Sequence, residues 1–492
     1  MVLSKLLEGI EYECLQGNLE TEINDIVYDS KKAKEQSVFI CIEGTKTDSH
    51  NFIDEVAALG VNAVVIEKKI PLPEKITAVF VPSSRIALAK MSATLFGHPA
   101  ARMITIGVTG TKGKTTTTYM IKEILETAGK KVGLIGTNGV MIAGAFYPTM
   151  NTTPESYQLQ EYFYKMAEAG CEYMIMEVSS QGLKMHRVDG ITFDYGIFTN
   201  ISPDHIGPDE HADFAEYLHY KGELFKKCRI GLVNADDPNL ESLLQEHTCE
   251  LFTYGVKSKA DFKVAEVNYL TEHNFVGISF RVKGKKSKES LLVKVNIPGE
   301  FNVYNALAAI SLSSFLNINE DAVLKALASI IVEGRMEIIH SSEQCTIIVD
   351  YAHNAVSMES LLTTLRMYHP KRLVCIFGCG GNRSKLRRYD MGEIGGRLAD
   401  LSIITADNSR FEKVEDILTD IKTGLQKTEG IYMEIPDRRE AITYSIRHAR
   451  PGDMIVIIGK GHENYQEIEG VRYPFLDKAV VKEILEELKI SK

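Results

Sequence analysis

Short apolar runs alternate with amphipathic stretches along the chain, the pattern of an α/β protein. The runs SVFICI and NAVVIE, with the helix-like stretch NFIDEVAALG between them, predict a small α/β domain over residues 1–99. The segment GHPA at 97–100 supplies the Gly and Pro that punctuate a joint. ITIGV then reads as a strand and TGTKGK as a tight loop. TTTTYMIKEILETAGKK follows as a helix, with Met120, Ile121, Ile124, Leu125 and Ala128 on one face and Gly129 just past its end. With VGLIG as the next strand, this is a βαβ unit of a parallel sheet. YMIMEV, YGIFTNI and IGLVNA extend it, and the helix VYNALAAISLSSFL closes a central domain over 100–333. From Gly334 onward, TIIVDYAH, LVCIFG, LSIITAD and MIVIIGKGHE are continuous apolar runs, as strands buried on both faces are. They predict a second doubly wound sheet over 334–492. The expected fold is therefore α/β with three domains: a small N-terminal one, a central P-loop ATPase-like sheet and a C-terminal Rossmann-like sheet.

Composition narrows the function. The 492 residues carry 56 Lys and Arg against 66 Asp and Glu, a formal net charge of −10. That balance disfavours general binding to nucleic acid or anionic membranes. The 8 Cys are scattered, and one sits inside the apolar run LVCIF, so neither a disulfide framework nor a zinc site is indicated. The start MVLSKLLEGIEYE turns acidic too soon for a signal peptide, and no apolar run reaches transmembrane length. A reducing, cytoplasmic location is expected, with no membrane insertion.

The polar residues with chemistry in them come directly after the apolar runs. Lys114 and Thr115, Glu177, His205, Asp350, Asn408 and Arg410, and Glu463 all have this placement. Ligands of open α/β sheets bind outside the carboxyl ends of the strands, so two such edges suggest a cleft between two domains.

The strongest motif is Gly110-Thr111-Lys112-Gly113-Lys114-Thr115, followed by Thr116. Closely spaced glycines let backbone N–H groups curl around phosphate oxygens at a helix N-terminus. Lys114 adds a point charge and Thr115 a hydroxyl for Mg²⁺. Val108 stands where the usual spacing has glycine, so the loop is a variant. No NKxD-like base-reading motif appears, which makes ATP the expected nucleotide. Glu177, one βα unit downstream, is placed to complete the Mg²⁺ site, and His205 follows a buried strand on the same edge. Lys221, among mixed charges on a helix, reads by its neighbours as a solvated lysine. In the last domain Arg387, Arg388, Asp407 to Arg410 and Glu463 suit either a zwitterion site or a rim of ion pairs.

TGTKGKTTTT, NTTPES, EVSSQGL, TNISPDH, FNVYNALAAI, GRMEII, DYAHN, FGCGGNRSK, DNSR and GKGHE occur in the order found in the Mur ligases. Within that family the chain most resembles the UDP-N-acetylmuramoyl-tripeptide synthetases, the MurE type, over essentially its whole length. The resemblance implies an ATP-dependent ligase adding meso-2,6-diaminopimelate to UDP-N-acetylmuramoyl-L-Ala-D-Glu through an acyl phosphate, as a monomer. It implies catalytic roles for Lys114, Glu177, His205 and Lys221. Thr115, Glu177, His205 and Lys221, the last as a CO₂ adduct (a carbamate), are implied to serve Mg²⁺. Asn302, Asn305, Arg335 and Asp350 join the loop at ATP. Ser30, Asn151, Thr152, Thr153, Ser179 and Arg187 are implied for the UDP-muramoyl dipeptide. Arg388, Asp407, Asn408, Ser409, Arg410, Gly459 and Glu463 are implied for the incoming amino acid.

Four departures from the family pattern stand out: Lys31 for an arginine, Met185 for a glutamine, Asn354-Ala355 for Thr-Pro, and Ser409 for the proline of DNPR. Without that proline the loop carrying Arg410 is expected to be less constrained. Alternatives left open are the same chemistry with L-lysine or another amino acid, a paralogue with another acceptor, and a non-catalytic ATP-responsive protein. The presence of Lys114, Thr115, Glu177, His205 and Lys221 together argues against the last.

Overall fold

A computed structural model provides the structure; it describes all residues except 45–46, 205, 208–209, 273–274, 285–289 and 489–492. The chain forms two compact units, Met1–Lys263 with Ala308–Ala322, and Val264–Leu307 with Val323–Lys492.

The first unit holds two sheets. The N-terminal one has the order Glu13–Gln16, Thr77–Phe80, Ala63–Ile66, Ser37–Ile40, Asp25–Val27, parallel except for the first pair. The other is parallel over Glu250–Gly255, Cys228–Asn234, Phe193–Phe198, Ile104–Thr109, Tyr173–Glu177 and Val132–Gly136. It continues antiparallel through Gly139–Ile142 and Ala145–Tyr147. The strand order reverses around Ile104–Thr109, the central strand, and the glycine loop leaves its carboxyl end. The helix Lys114–Thr127 follows, with Met120, Ile121, Ile124 and Leu125 buried as its periodicity predicts. Gly129 terminates it at φ +77°.

The second unit contains the antiparallel ribbon Phe275–Gly284 and Leu291–Val295, entered along the strand Phe262–Glu272, which passes from one unit to the other. Its main sheet has the order Glu337–Ser341, Cys345–Asp350, Asp453–Ile458, Arg372–Phe377, Leu401–Ile404, Tyr432–Glu434, parallel apart from the first pair. The apolar runs expected as two-face-buried strands form its centre, with Asp453–Ile458 buried at every position. The antiparallel strands were not apparent in the sequence because their residues alternate unevenly between polar and apolar.

One buried ion pair ties the carboxyl edge of this sheet together. Arg438 and Asp477 have wholly buried side chains, joined by two hydrogen bonds of 2.7 Å. Arg438 also donates to the carbonyls of Ile458 (2.9 Å) and Ala406 (3.3 Å), each just at or beyond a strand end. Removing one partner leaves a desolvated charge. Asp477→Ala is therefore expected to lose about 3–5 kcal/mol of stability, read from the urea unfolding midpoint; an unchanged midpoint contradicts this role.

Candidate active site

The loop at the head of Lys114–Thr127 is built on backbone that only glycine adopts without strain. Gly110 has φ +146° and Gly113, the helix N-cap, φ +85°. A Cβ on Gly110 would lie 2.0 Å from Thr199 Oγ1. The neighbouring strand end stitches the loop down. Asn200 O accepts from Thr111 N–H (2.8 Å), Asn200 Oδ1 accepts from Lys112 N–H (3.0 Å), and Thr199 Oγ1 donates to Lys112 O (2.7 Å).

Two lysines converge here. Lys114 Nζ and Lys221 Nζ each donate to Gly110 O at 2.8 Å. Lys221 is only 1% exposed, so it is not the solvated residue its charged neighbours suggested. It lies on the helix Phe214–Gly222, and its ammonium sits 4.6 Å from the centre of the Tyr217 ring. Burial, reinforced by the nearby Lys114 charge, holds its pKa well below the usual lysine range.

Glu177 ends its strand 1% exposed. Its Oε1 accepts from Thr115 Oγ1 (3.0 Å) and Thr137 N–H (2.9 Å), and its Oε2 from Thr137 Oγ1 (3.2 Å). Space for this carboxylate exists because residue 136 has no side chain: a Cβ there would lie 2.3 Å from Glu177 Oε1. Thr137 was not foreseen, although it follows VGLIG on the same edge. His205 lies outside the described residues.

Thr152, Thr153, Ser179 and Arg187 gather beside Glu177. Thr152 Oγ1 is 3.0 Å from Thr137 Oγ1, and Thr153 Oγ1 is 3.1 Å from Ser179 Oγ and donates to Glu177 O at 3.0 Å. Arg187 donates to Thr153 O (3.0 Å) and pairs with Glu155 (3.4 Å), an acid that the NTTPES motif contained and that had been given no role. Asn151 is exposed, and Ser30 begins a 3-10 turn capped by Asp29. Met185 closes the helix Ser180–Lys184.

In the second unit, Asp350 accepts from Met336 N–H and Ala352 N–H, and burial raises its pKa despite the neighbouring Arg335. Arg335 itself stacks 4.9 Å over the Tyr351 ring. Asn302 and Asn305 are buried, with Asn305 Nδ2 donating to Asn302 Oδ1 and Asn302 Nδ2 to Pro298 O. Asn354 caps the helix Ala355–Arg366 through Ser357 N–H, so its departure from Thr-Pro keeps a good N-cap.

Arg388 is placed differently from the expected carboxylate reader. It is 1% exposed, and its guanidinium is shared by Glu412 (2.8 and 2.9 Å) and Asp420 (2.9 Å). Its charge is already balanced within the fold. Arg410 is a quarter exposed (25%) and uses Nη1 on Gly381 O at 2.7 Å. Its loop is also better held than the missing proline suggested. Arg410 sits at φ +51°, bridged to Ile468, with its N–H on Glu467 O (3.0 Å), while Gly381 N–H donates to Asn408 O (2.8 Å). Asn408 Nδ2 donates to Glu463 Oε2 at 2.9 Å. A Cβ on Gly459 would lie 2.5 Å from Asp407 Oδ2. Asp407, Asn408, Ser409, Gly459 and Glu463 thus share one strand edge.

Residues 108–313 match the Mur ligase middle domain, and 334–461 the Mur ligase glutamate ligase domain. The chain belongs to the Mur ligase family. Among its relatives, the UDP-N-acetylmuramoyl-L-alanyl-D-glutamate–2,6-diaminopimelate ligase of Caldanaerobacter subterraneus subsp. tengcongensis is 40% identical, covering 99% of both chains. The enzyme of the same name from Clostridium perfringens is 38% identical over 99% of this chain and 100% of its own. A solved structure of a ligase of that name aligns with a TM-score of 0.73 and 27% identity, covering 99% of both chains. Mur ligases are ATP-dependent amide-forming enzymes, and the loop, Glu177 and Lys221 fall within the matched middle domain.

Gly136→Ala tests whether Glu177 serves a cation. Displacing this acid is expected to weaken Mg²⁺-dependent binding of a fluorescent ATP analogue at least about tenfold, since a misplaced hard oxygen ligand is lost to the ion. Mg²⁺ titration at fixed analogue checks it; an unaltered Mg²⁺ midpoint rejects the placement.

Proposed function

We propose that this Mur ligase joins meso-2,6-diaminopimelate to the D-glutamate carboxylate of UDP-N-acetylmuramoyl-L-Ala-D-Glu in peptidoglycan precursor synthesis, in the cytoplasm. The observation that carries the reading is the meeting of Lys114 and Lys221 on the Gly110 carbonyl beside the Thr115–Glu177 pair. The buried Lys221 Nζ and the half-buried Lys114 Nζ crowd like charge onto one carbonyl, which an added anion relieves. A triphosphate in the glycine loop supplies the anion, and Lys114 then offsets charge on the transferring phosphoryl group. The D-glutamate carboxylate attacks the γ-phosphorus and ADP leaves, giving an acyl phosphate. The amine of the amino acid attacks the acyl carbon, and phosphate is released.

The donor set fits Mg²⁺, because Thr115 Oγ1 and Glu177 Oε1 are hard oxygens 3.0 Å apart in a water-poor site. His205 and a Lys221 carbamate complete this proposed set. When bound, the ion neutralises phosphate charge. Lys221 suits carbamylation: burial and Lys114 lower its proton affinity, which favours the neutral amine that adds to CO₂, and loss of one N–H proton leaves an anionic carbamate. Thr152, Thr153, Ser179 and Arg187, with Ser30 and Asn151, are assigned to the nucleotide-sugar peptide. Asn302, Asn305, Arg335 and Asp350 are assigned to ATP.

Asn408, Arg410 and Glu463 are assigned to the amino acid. Meso-diaminopimelate carries a distal carboxylate that L-lysine lacks. Arg410, part-exposed with guanidinium N–H groups to offer, is the fork that reads it, while Arg388 holds the loop.

Two outcomes are expected. Lys221→Ala should be nearly inactive and regain turnover with added short-chain carboxylic acids; wild-type turnover by the unsupplemented variant rejects the carbamate. In a phosphate-release assay with a panel of amino acids, wild type should prefer meso-diaminopimelate. Arg410→Ala should lose most of that kcat/KM, on the order of 10²-fold or more, with little gain on L-lysine. A wild type preferring L-lysine overturns the amino-acid assignment.

A further inference from the structure

The GKGHE segment contains a charged residue that none of the roles above uses. Lys460 is completely buried, at 0% exposure, in a segment whose other side chains reach solvent. The glycines on either side turn it inward. Gly459 has φ +111° and Gly461 φ +53°. A Cβ on Gly461 would lie 2.8 Å from Tyr351 Cβ and 3.0 Å from Gly334 O. A lysine at this point of a strand-end loop would ordinarily reach water with its long stem, so its burial needs a return.

Its ammonium contacts two side chains assigned to the amino-acid site. Nζ donates to Asn408 Oδ1 at 3.1 Å and to Glu463 Oε2 at 3.3 Å, and lies 5.3 Å from the Tyr465 ring centre. Asn408 Oδ1 also accepts from Glu467 N–H (2.9 Å), and Asn408 Nδ2 donates to the same Glu463 Oε2. The amide is therefore locked in one orientation. Glu463 Oε2 is doubly held, while among the described residues Oε1 has only the Tyr351 hydroxyl, at 3.4 Å. A carboxylate gripped through one oxygen keeps the lone pairs of the other for an incoming cation.

We propose that Lys460 is a positioning residue for the amino-acid site, fixing Glu463 and Asn408 so that Glu463 Oε1 receives an ammonium group of the added amino acid. This rests on the reading that Glu463 and Asn408 receive that substrate. Lys460 does not touch the substrate. It sets the direction of the acid that does, and it prevents Glu463 from rotating toward solvent.

The test is phosphate release by the full chain, with ATP, UDP-N-acetylmuramoyl-L-Ala-D-Glu and whichever amino acid wild type uses best. Lys460→Gln is expected to raise the amino-acid KM at least about tenfold, with the KM for ATP and for the nucleotide sugar within about twofold. In Lys460→Gln combined with Glu463→Gln, the amino-acid KM should match that of Glu463→Gln alone within about twofold, because one residue acts through the other. An unchanged amino-acid KM, a parallel rise in all three KM values, or additive effects in the double variant overturns the proposal. Should Lys460→Gln melt below the assay temperature, Lys460→Arg, which keeps the charge but displaces the donor, carries the same test. Its selective rise in amino-acid KM supports the role, and its absence refutes it. A wild type that releases no phosphate with any amino acid refutes the ligase reading itself, a result distinct from a working ligase whose Lys460 variants bind amino acid normally.

Discussion

Lys114 and Lys221 both donate to the carbonyl oxygen of Gly110, and the arrangement of the glycine loop depends on that meeting. It requires a loop that turns its carbonyl toward the helix Lys114–Thr127, which φ +146° at Gly110 allows. It also requires the helix Phe214–Gly222 to deliver Lys221 from more than a hundred residues downstream, with a separation of |i−j| = 111. Like charge gathered at a helix N-terminus suits the polyphosphate proposed for this loop. The lowered proton affinity of Lys221 has the same origin: burial first, then a like charge.

The two sheets that carry chemistry solve the same steric problem at their carboxyl edges. Each must fit an acid against the end of another strand of the same sheet, and each does so by omitting a side chain. Residue 136 leaves room for Glu177, and residue 459 leaves room for Asp407. Parallel strands end with their carbonyls and following loops on one side, so the acids, the hydroxyls of Thr115 and Thr137, and the loop arginine accumulate there without any special device.

Buried charge recurs in this fold, and in the second unit three buried cations are met by acids. Arg438 has Asp477, Arg388 has Glu412 and Asp420, and Lys460 has Glu463 and Asn408. Such pairs add little net stability over apolar residues of similar size, but they fix geometry firmly, because breaking one strands a charge in low dielectric. In the C-terminal sheet they anchor the strand ends and the loop that presents Arg410. This is why the missing proline at Ser409 does not loosen that loop: backbone hydrogen bonds to Glu467 and Asn408 supply the constraint instead.

The sequence by itself determined the parallel sheets, the glycine loop at the helix head and the family. Those signals are local: apolar runs of strand length, a helix with one buried face, glycines at fixed spacing, and motifs in order. It also placed Glu177, Asn408 and Glu463 correctly at strand ends, because that position follows directly from the end of each apolar run. Tertiary structure alone decided the state of the charged side chains. Lys221 reads as solvated among Glu, His and Lys neighbours, yet it is buried, because its environment is made by Gly110 and Tyr217 rather than by residues next to it in the chain. Arg388 and Arg410 look equivalent in the sequence, and only folding buries Arg388 between two acids and leaves Arg410 part-exposed with one longer contact, 3.7 Å to Glu467. Whether a charge is spent on the fold or kept for a substrate depends on partners dozens of residues away. That is a property of packing, which local pattern does not encode.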